Sequence, residues 1–192
     1  MIQKHLLPNG VRVITEHIPS VRSVSIGIWI GTGSRYETVQ NNGISHLIEH
    51  MLFKGTAQRS AKKLAEAFDR VGGHVNAFTA KECTCYYAKV LDEHTAYALE
   101  MLSDMFFHSL LDPEEMEKEK KVILEEIRMY EDNPDELVHE LLMEYVCCDH
   151  ALGYPIAGKP SSLQKLTRED LLQFMKEQYT PDNTIIAIAG NI

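Results

Sequence analysis

The sequence has few cysteines, no long apolar run and no excess of positive charge. Its 192 residues include 4 cysteines, 19 Lys and Arg, and 28 Asp and Glu, so the formal net charge is −9. An acidic chain without a basic patch is poorly suited to a phosphate backbone, and we expect no nucleic acid partner. No apolar stretch approaches the roughly 20 residues that span a bilayer, and residues 1–6 lack a signal-peptide pattern. We therefore expect no membrane contact and a cytoplasmic location.

The cysteines form one C-x-C pair, Cys83 and Cys85, and one adjacent pair, Cys147 and Cys148. Neither has the C-x-x-C spacing of a zinc ribbon, and such close pairs bridge poorly. We expect reduced thiols that fill apolar space. Apolar residues make up 44% of the chain, which excludes a disordered protein and suffices for one domain over residues 1–192.

The predicted elements run as strands, then mostly helices, then one returning strand. A Pro-Asn-Gly turn at residues 8–10 is typical of a hairpin, and Asp112 before Pro113 is a strong helix start. The predicted strands cover residues 11–16, 24–30, 74–79, 83–90 and 184–189, and the predicted helices cover about 44–53, 60–71, 92–110, 113–130, the stretch after 133, and 167–179. This order indicates an α+β fold.

The most informative segment is His-Leu-Ile-Glu-His at residues 46–50. On a helix, His46 and His50 lie one turn apart and about 40° from each other around the axis, so both can ligate one tetrahedral zinc ion. Glu49 lies about 60° from His46, and its carboxylate can accept a proton from an attacking water. The alternative is a histidine pair on an ordinary helix. The H-x-x-E-H order is an inverzincin signature and favours a metal site.

A catalytic zinc site usually has three protein ligands and one open position. The helix after Asp112 is rich in glutamates, most of which must lie on a solvated face. Relative to the apolar Ile123, Glu126 is rotated by about 60° and Glu125 by about 160°. Glu119 lies within about 20° of Glu126 around the axis. We therefore expect Glu119 and Glu126 to point inward, where a carboxylate needs a partner such as a metal.

Five segments of the chain carry a resemblance to one family. They are residues 31–37, 43–56, 76–79, 86–87 and 122–127. Together they resemble the pitrilysin-type (inverzincin, M16) zinc metallopeptidases, and the chain is most similar to the bacterial processing-peptidase-like branch. The resemblance extends over nearly the whole chain, because these separate segments match in order.

The resemblance implies a fold and a set of functional residues. The fold is a mostly antiparallel sheet with helices packed on one face. His46, His50 and Glu126 are implied as ligands of one Zn2+ per chain, and Glu49 is implied as the general base. Glu119 matches the family's second helix carboxylate, which supports the site from behind the ligands. The implied activity is endopeptidase cleavage of extended peptides or unstructured segments.

The segment Asn76, Ala77, Phe78 and Thr79 resembles the family's edge strand, to which a peptide substrate adds as a further strand. The alternative is ordinary sheet structure with a protected edge. Family members also have a second, similarly folded half. We therefore expect residues 1–192 to be an N-terminal catalytic domain without its C-terminal half, whose partner is that homologous half or another protomer.

Two other functions are compatible with parts of the pattern. One is a non-catalytic peptide-binding or assembly subunit of the same fold, although the motif is intact here. The other is S-ribosylhomocysteine lyase, which also uses H-x-x-E-H on a related fold. Its third ligand has no counterpart in this chain, because Cys147 and Cys148 lie far beyond the Glu126 position.

Overall fold

The computed structural model describes residues 1–148 and 150–192, and over these residues it contains six strands and seven α-helices. The strands are β1 (Ile2–Leu6), β2 (Arg12–His17), β3 (Ser23–Ile30), β4 (His74–Thr79), β5 (Thr84–Leu91) and β6 (Thr184–Gly190). The helices are α1 (Ile44–Leu52), α2 (Ala61–Arg70), α3 (Thr95–His108), α4 (Pro113–Glu131), α5 (Pro134–Val146), α6 (Pro160–Leu163) and α7 (Arg168–Gln178).

The strands form one sheet in the order β1-β2-β6-β3-β5-β4. Every neighbouring pair is antiparallel except β2 with β6, which is parallel. The last strand thus lies in the middle of the sheet, between β2 and β3. The predicted α+β class and mostly antiparallel sheet are confirmed. Strand β4 is at one edge of the sheet and pairs only with β5.

One face of the sheet carries the hydrophobic core. In β3, Ile26 and Ile30 are fully buried, whereas the alternate residues Ser25 and Trp29 are exposed, as the two-residue period of a strand requires. Helices α1 and α3 pack against this sheet and contribute to the same core. The helices therefore cover one face, as expected. Among the described residues, no helix has the length and apolar character needed to cross a bilayer.

The predicted helix starts are confirmed by their capping bonds. The Asp112 side chain accepts hydrogen bonds from the backbone N–H groups of Glu114 and Glu115, with Pro113 in the first turn. The predicted helix at 92–110 is shorter, because it opens with a single 3-10 turn and ends at His108. The four-residue helix α6 was not predicted, since it is too short to show a periodic pattern.

The expectation for the cysteines is only partly correct. All four thiols are free, and Cys85 is buried within β5, as expected. Cys83 and Cys147 are half-buried, and Cys148 is exposed at the end of α5. That helix packs few of its side chains, so a thiol at its end remains in contact with solvent.

Two glycines join the start of α1 to the loop before α6. Gly43 and Gly158 have φ angles of +96° and +83°, a region that L side chains rarely adopt. The two backbones also approach closely. A Cβ on Gly158 would lie 2.6 Å from the carbonyl oxygen of Asn42, and one on Gly43 would lie 2.8 Å from that of Ala157. This contact fixes the loop against the beginning of α1.

We expect Gly158→Ala to destabilise the fold by about 3 kcal/mol or more, because the new Cβ overlaps backbone that cannot move alone. Gly72→Ala is the matched control, since Gly72 also has a positive φ (+61°) but no atom within 4 Å of the added Cβ. We expect that control to cost about 1 kcal/mol. Chemical denaturation of the two variants measures the difference. Equal losses would contradict the close approach.

Candidate metal centre

Helix α1 begins on a buried carboxylate. The Glu37 side chain accepts hydrogen bonds from the backbone N–H groups of Gly43 (2.8 Å) and Ser45 (2.9 Å) and from the Asn42 amide (2.9 Å). A negative charge at this end also complements the helix dipole. Burial raises the pKa of Glu37, and these hydrogen bonds oppose that shift. The start of α1 is therefore fixed by a residue outside the helix.

The two histidines of α1 lie side by side, and a glutamate of α4 faces both. The rings of His46 and His50 meet edge to face, with centroids 4.6 Å apart. Oε2 of Glu126 lies 3.6 Å from Nε2 of His50 and 3.9 Å from Nε2 of His46. One ligand atom from each of the three residues lies within 4.8 Å of the others. The structure thus brings together the three residues expected to bind metal.

The donor set and its surroundings fit a zinc ion. Two imidazole nitrogens and one carboxylate oxygen are a common set of protein ligands in catalytic zinc sites. Burial, and then the neighbouring His50, lower the pKa of His46 to about 4. His46 is therefore neutral at pH 7, which is the form that ligates a metal. Its Nδ1 is buried and has no hydrogen-bond partner among the described residues.

His50, by contrast, has a hydrogen-bond partner at Nδ1. Its Nδ1 lies 3.0 Å from Oε2 of Glu119, a buried carboxylate on α4. In the tautomer with its proton on Nδ1, His50 donates this hydrogen bond, and the unprotonated nitrogen is Nε2, which lies 3.6 Å from Oε2 of Glu126. The other oxygen of Glu119, Oε1, lies 2.7 Å from Nζ of Lys54. Glu119 therefore contacts His50 through Nδ1, whereas Glu126 lies near Nε2 of the same ring.

Sequence analysis did not identify Lys54 or Glu37. Both had a usable signal, because a buried carboxylate needs a cation or several N–H donors. Lys54 follows His50 by four residues, which places it one turn further on, on the same side as Glu119. The N-cap residue of α1 is Gly43, which has no side chain to accept hydrogen bonds from the first turn. Glu37 lies a few residues earlier and can accept them instead.

Glu49 faces an open cleft beside the histidines. Its Oε2 accepts a hydrogen bond from Oγ1 of Thr79 at 2.5 Å, which joins α1 to the edge strand β4. Burial raises the pKa of Glu49, although the bond from Thr79 acts in the opposite direction. A carboxylate with a raised pKa is better matched to accepting and returning a proton near pH 7.

The cleft has a volume of about 840 Å³ and runs between β4 and α5. Ala77, Phe78 and Thr79 line one side together with His46 and Glu49, whereas Asn76 does not line it. The opposite wall consists of the C-terminal end of α4, of α5 and of the loop that continues into α6. Among the described residues, β4 pairs with one strand only, β5. The opposite side of β4 faces the cleft and is the open edge of the sheet.

Comparison with known proteins identifies the family. Residues 12–160 match the family model described as Insulinase (Peptidase family M16). The chain therefore belongs to this peptidase family. It is 58% identical over 192 residues to a Bacillus subtilis (strain 168) protein named "Uncharacterized zinc protease YmxG". It is 45% identical over 191 residues to a similarly named zinc protease of Streptomyces coelicolor.

The chain spans about half the length of these curated relatives, namely 47% of the first and 42% of the second, whereas they cover all of it. Solved structures agree with the fold. A protease from Helicobacter pylori matches all of the chain with a TM-score of 0.95 at 24% identity, over 47% of its own length. A peptidase M16 inactive domain from Pseudomonas fluorescens matches all of it with a TM-score of 0.92 at 18% identity, again over 47% of its length.

We expect Glu126→Gln to weaken zinc binding by at least about 100-fold, because it removes the charged ligand. Glu125→Gln is the matched control, since Glu125 immediately precedes Glu126 in α4 but points to solvent and pairs with Arg128. Its zinc affinity should be unchanged. Competition with a fluorescent chelator measures both affinities. Equal affinities for the two variants would remove Glu126 from the ligand set.

Proposed function

We propose that this chain is the zinc-binding catalytic domain of a metalloendopeptidase that hydrolyses extended peptides or unstructured protein segments. The observation that carries the proposal is the position of Glu126 Oε2, which is within 3.9 Å of both histidine Nε2 atoms. Glu49 stands beside this group in the cleft. The zinc proteases among the relatives support the same class of activity.

In this proposal His46, His50 and Glu126 hold the zinc ion. Zinc, when bound, supplies the Lewis acidity that polarises a carbonyl and makes water a nucleophile near neutral pH. Glu49 accepts the proton of the attacking water at its carboxylate and passes it to the leaving amine nitrogen. The hydroxyl of Thr79 fixes the orientation of the Glu49 carboxylate by its hydrogen bond.

The substrate binds as an additional strand along β4. Main-chain N–H and C=O groups of a peptide can pair with the open edge, which gives affinity with little demand on sequence. Ala77, Phe78 and Thr79 line the cleft next to Glu49, so a peptide on this edge runs past the general base. Asn76 extends the same strand just outside the cleft.

The opposite wall of the cleft is acidic. Glu136, Glu140 and Glu144 line it at four-residue intervals, one turn apart along α5. Of these, Glu144 is paired with Lys159, with 2.6 Å between Nζ and Oε1. Glu136 and Glu140 contribute a negative potential close to a bound peptide. This charge favours substrates with Lys or Arg near the cleaved bond.

A second, homologous half completes the enzyme in this proposal. The relatives are about twice as long as this chain. A cleft formed by one domain alone leaves a peptide exposed to water on one side. We therefore expect the chain to bind zinc by itself and to cleave peptides faster when the remaining half of the Bacillus subtilis relative is supplied.

We expect Glu49→Gln to retain zinc but lower the rate of peptide cleavage about 100-fold or more, because the proton acceptor is lost. The control is Glu66→Gln, which changes an exposed glutamate on α2 that contacts Lys62. Mass spectrometry of an unstructured peptide, with and without chelator, measures cleavage by the chain and by the chain with the added half.

A rate that the substitution leaves unchanged would refute the assigned mechanism. Zinc binding with no chelator-sensitive cleavage in either arrangement would instead favour the non-catalytic peptide-binding subunit.

We expect Glu140→Gln to lower kcat/KM about threefold for a peptide with Arg near the cleaved bond, as for other partly exposed charge pairs. The same peptide with Gln in place of Arg is the internal control and should not respond. The difference should shrink in high salt, because exposed charges are screened. Equal effects on both peptides would exclude charge recognition by α5.

A further inference from the structure

Lys54 lies immediately after the helix that carries the histidines. Its backbone N–H donates to the carbonyl of Met51 at 3.1 Å, so it continues the last turn of α1. Its ammonium is 2.7 Å from Oε1 of Glu119 on α4. A cation at the C-terminal end of a helix is also favourable for the helix dipole. Lys54 therefore connects α1 to α4 directly behind the metal ligands.

Each oxygen of Glu119 has its own partner. Oε1 contacts Lys54, and Oε2 contacts Nδ1 of His50 at 3.0 Å. The Glu119 side chain is only 8% exposed, so water has little access to replace either partner. Without the ammonium, Oε1 would be a buried charged oxygen with no partner, which is costly. The carboxylate would then have reason to rotate away from His50.

We propose that Lys54 is a positioning residue of the metal centre, which holds Glu119 so that Glu119 orients His50 for zinc. This inference rests on the proposed function, because it takes His50 as a zinc ligand. Lys54 touches neither a ligand atom nor the cleft. Its effect reaches the metal through two hydrogen-bonded contacts, from Nζ to Oε1 and from Oε2 to Nδ1.

A second effect of Lys54 has the opposite sign. Its positive charge repels a divalent cation through space, so its removal alone would strengthen zinc binding. Positioning predicts weaker binding after removal, because the orientation of His50 is lost. The direction of the change in zinc affinity therefore distinguishes the two effects.

The test measures zinc affinity by competition with a fluorescent chelator. Outer partners of metal ligands typically contribute about 10–100-fold in affinity, and we expect Lys54→Met to weaken zinc binding about tenfold. Lys54→Arg keeps the charge and the donors and should restore most of the affinity. Lys118→Met is the matched control, since Lys118 pairs with Glu115 on the exposed side of α4 and should have no effect.

A double-mutant cycle tests whether Lys54 acts through Glu119. In a Glu119→Met background, Lys54→Met should cause no further loss of zinc affinity, because no oxygen is left there for Nζ of Lys54 or Nδ1 of His50 to contact. The visible spectrum of the Co2+-substituted protein gives a second readout. It should change in Lys54→Met and return toward that of the wild type in Lys54→Arg, whereas a purely structural role would lower only thermal stability.

The outcomes separate the two proposals. Unchanged or tighter zinc binding by Lys54→Met, in a wild-type background that binds one zinc ion, overturns the role of Lys54 alone. The same loss in the presence and absence of Glu119 also overturns it. A wild-type chain that binds no zinc overturns both this inference and the proposed function.

Discussion

The site depends on one constraint, which is that α1 must satisfy two environments at once. Its apolar side chains Leu47, Ile48 and Met51 are fully buried in the core. The remaining side carries the two histidines and Glu49, which face α4 and the cleft. A nine-residue helix has little room for both tasks. Rotation by one residue would bury a histidine and expose the core, so packing of the core fixes the direction of the histidines.

The supports of α1 come from residues outside the helix and act at both of its ends. Glu37 holds the first turn, and Gly158 packs against the residues just before it. Glu119 and Lys54 act near the last turn. Thr79 fixes the Glu49 carboxylate between them. Small movements of a ligand weaken a metal site, and these contacts restrain α1 without adding a ligand.

Local rules accounted for most of the fold and for the identity of the candidate site residues. The helical period placed His46, His50 and Glu49 on one side of a helix, and it also selected Glu119 and Glu126 on the inward side of α4. Strand and helix positions followed from alternation and capping. These features depend on neighbours within a few residues, so a single sequence contains enough information to predict them.

Features that depend on distant contacts were not predictable in the same way. The parallel pairing of β6 with β2 joins segments about 170 residues apart, and no local pattern indicates it. The ion pair of Lys54 requires α1 and α4 to be packed first. The approach of Gly43 to Gly158 likewise depends on a loop whose own sequence is irregular. In each case the segment or side chain is compatible with many environments until the tertiary fold selects one.

The two histidines are supported unequally. His50 is held by Glu119, whereas the buried Nδ1 of His46 has no partner among residues 1–148 and 150–192. The ring of His46 is positioned by packing, including its edge-to-face contact with His50. In the proposed metal centre, the orientation of His50 therefore has a hydrogen-bonded support that the orientation of His46 lacks.

The central position of β6 has a consequence for synthesis of the protein. Strands β2 and β3 are adjacent in sequence but are separated in the sheet by residues 184–190. A nascent chain therefore holds an incomplete sheet, with two open inner edges, while the residues of the metal centre have already left the ribosome. Unpaired edges of this kind promote aggregation. These two edges stay unpaired until β6 has been synthesised and inserted between them.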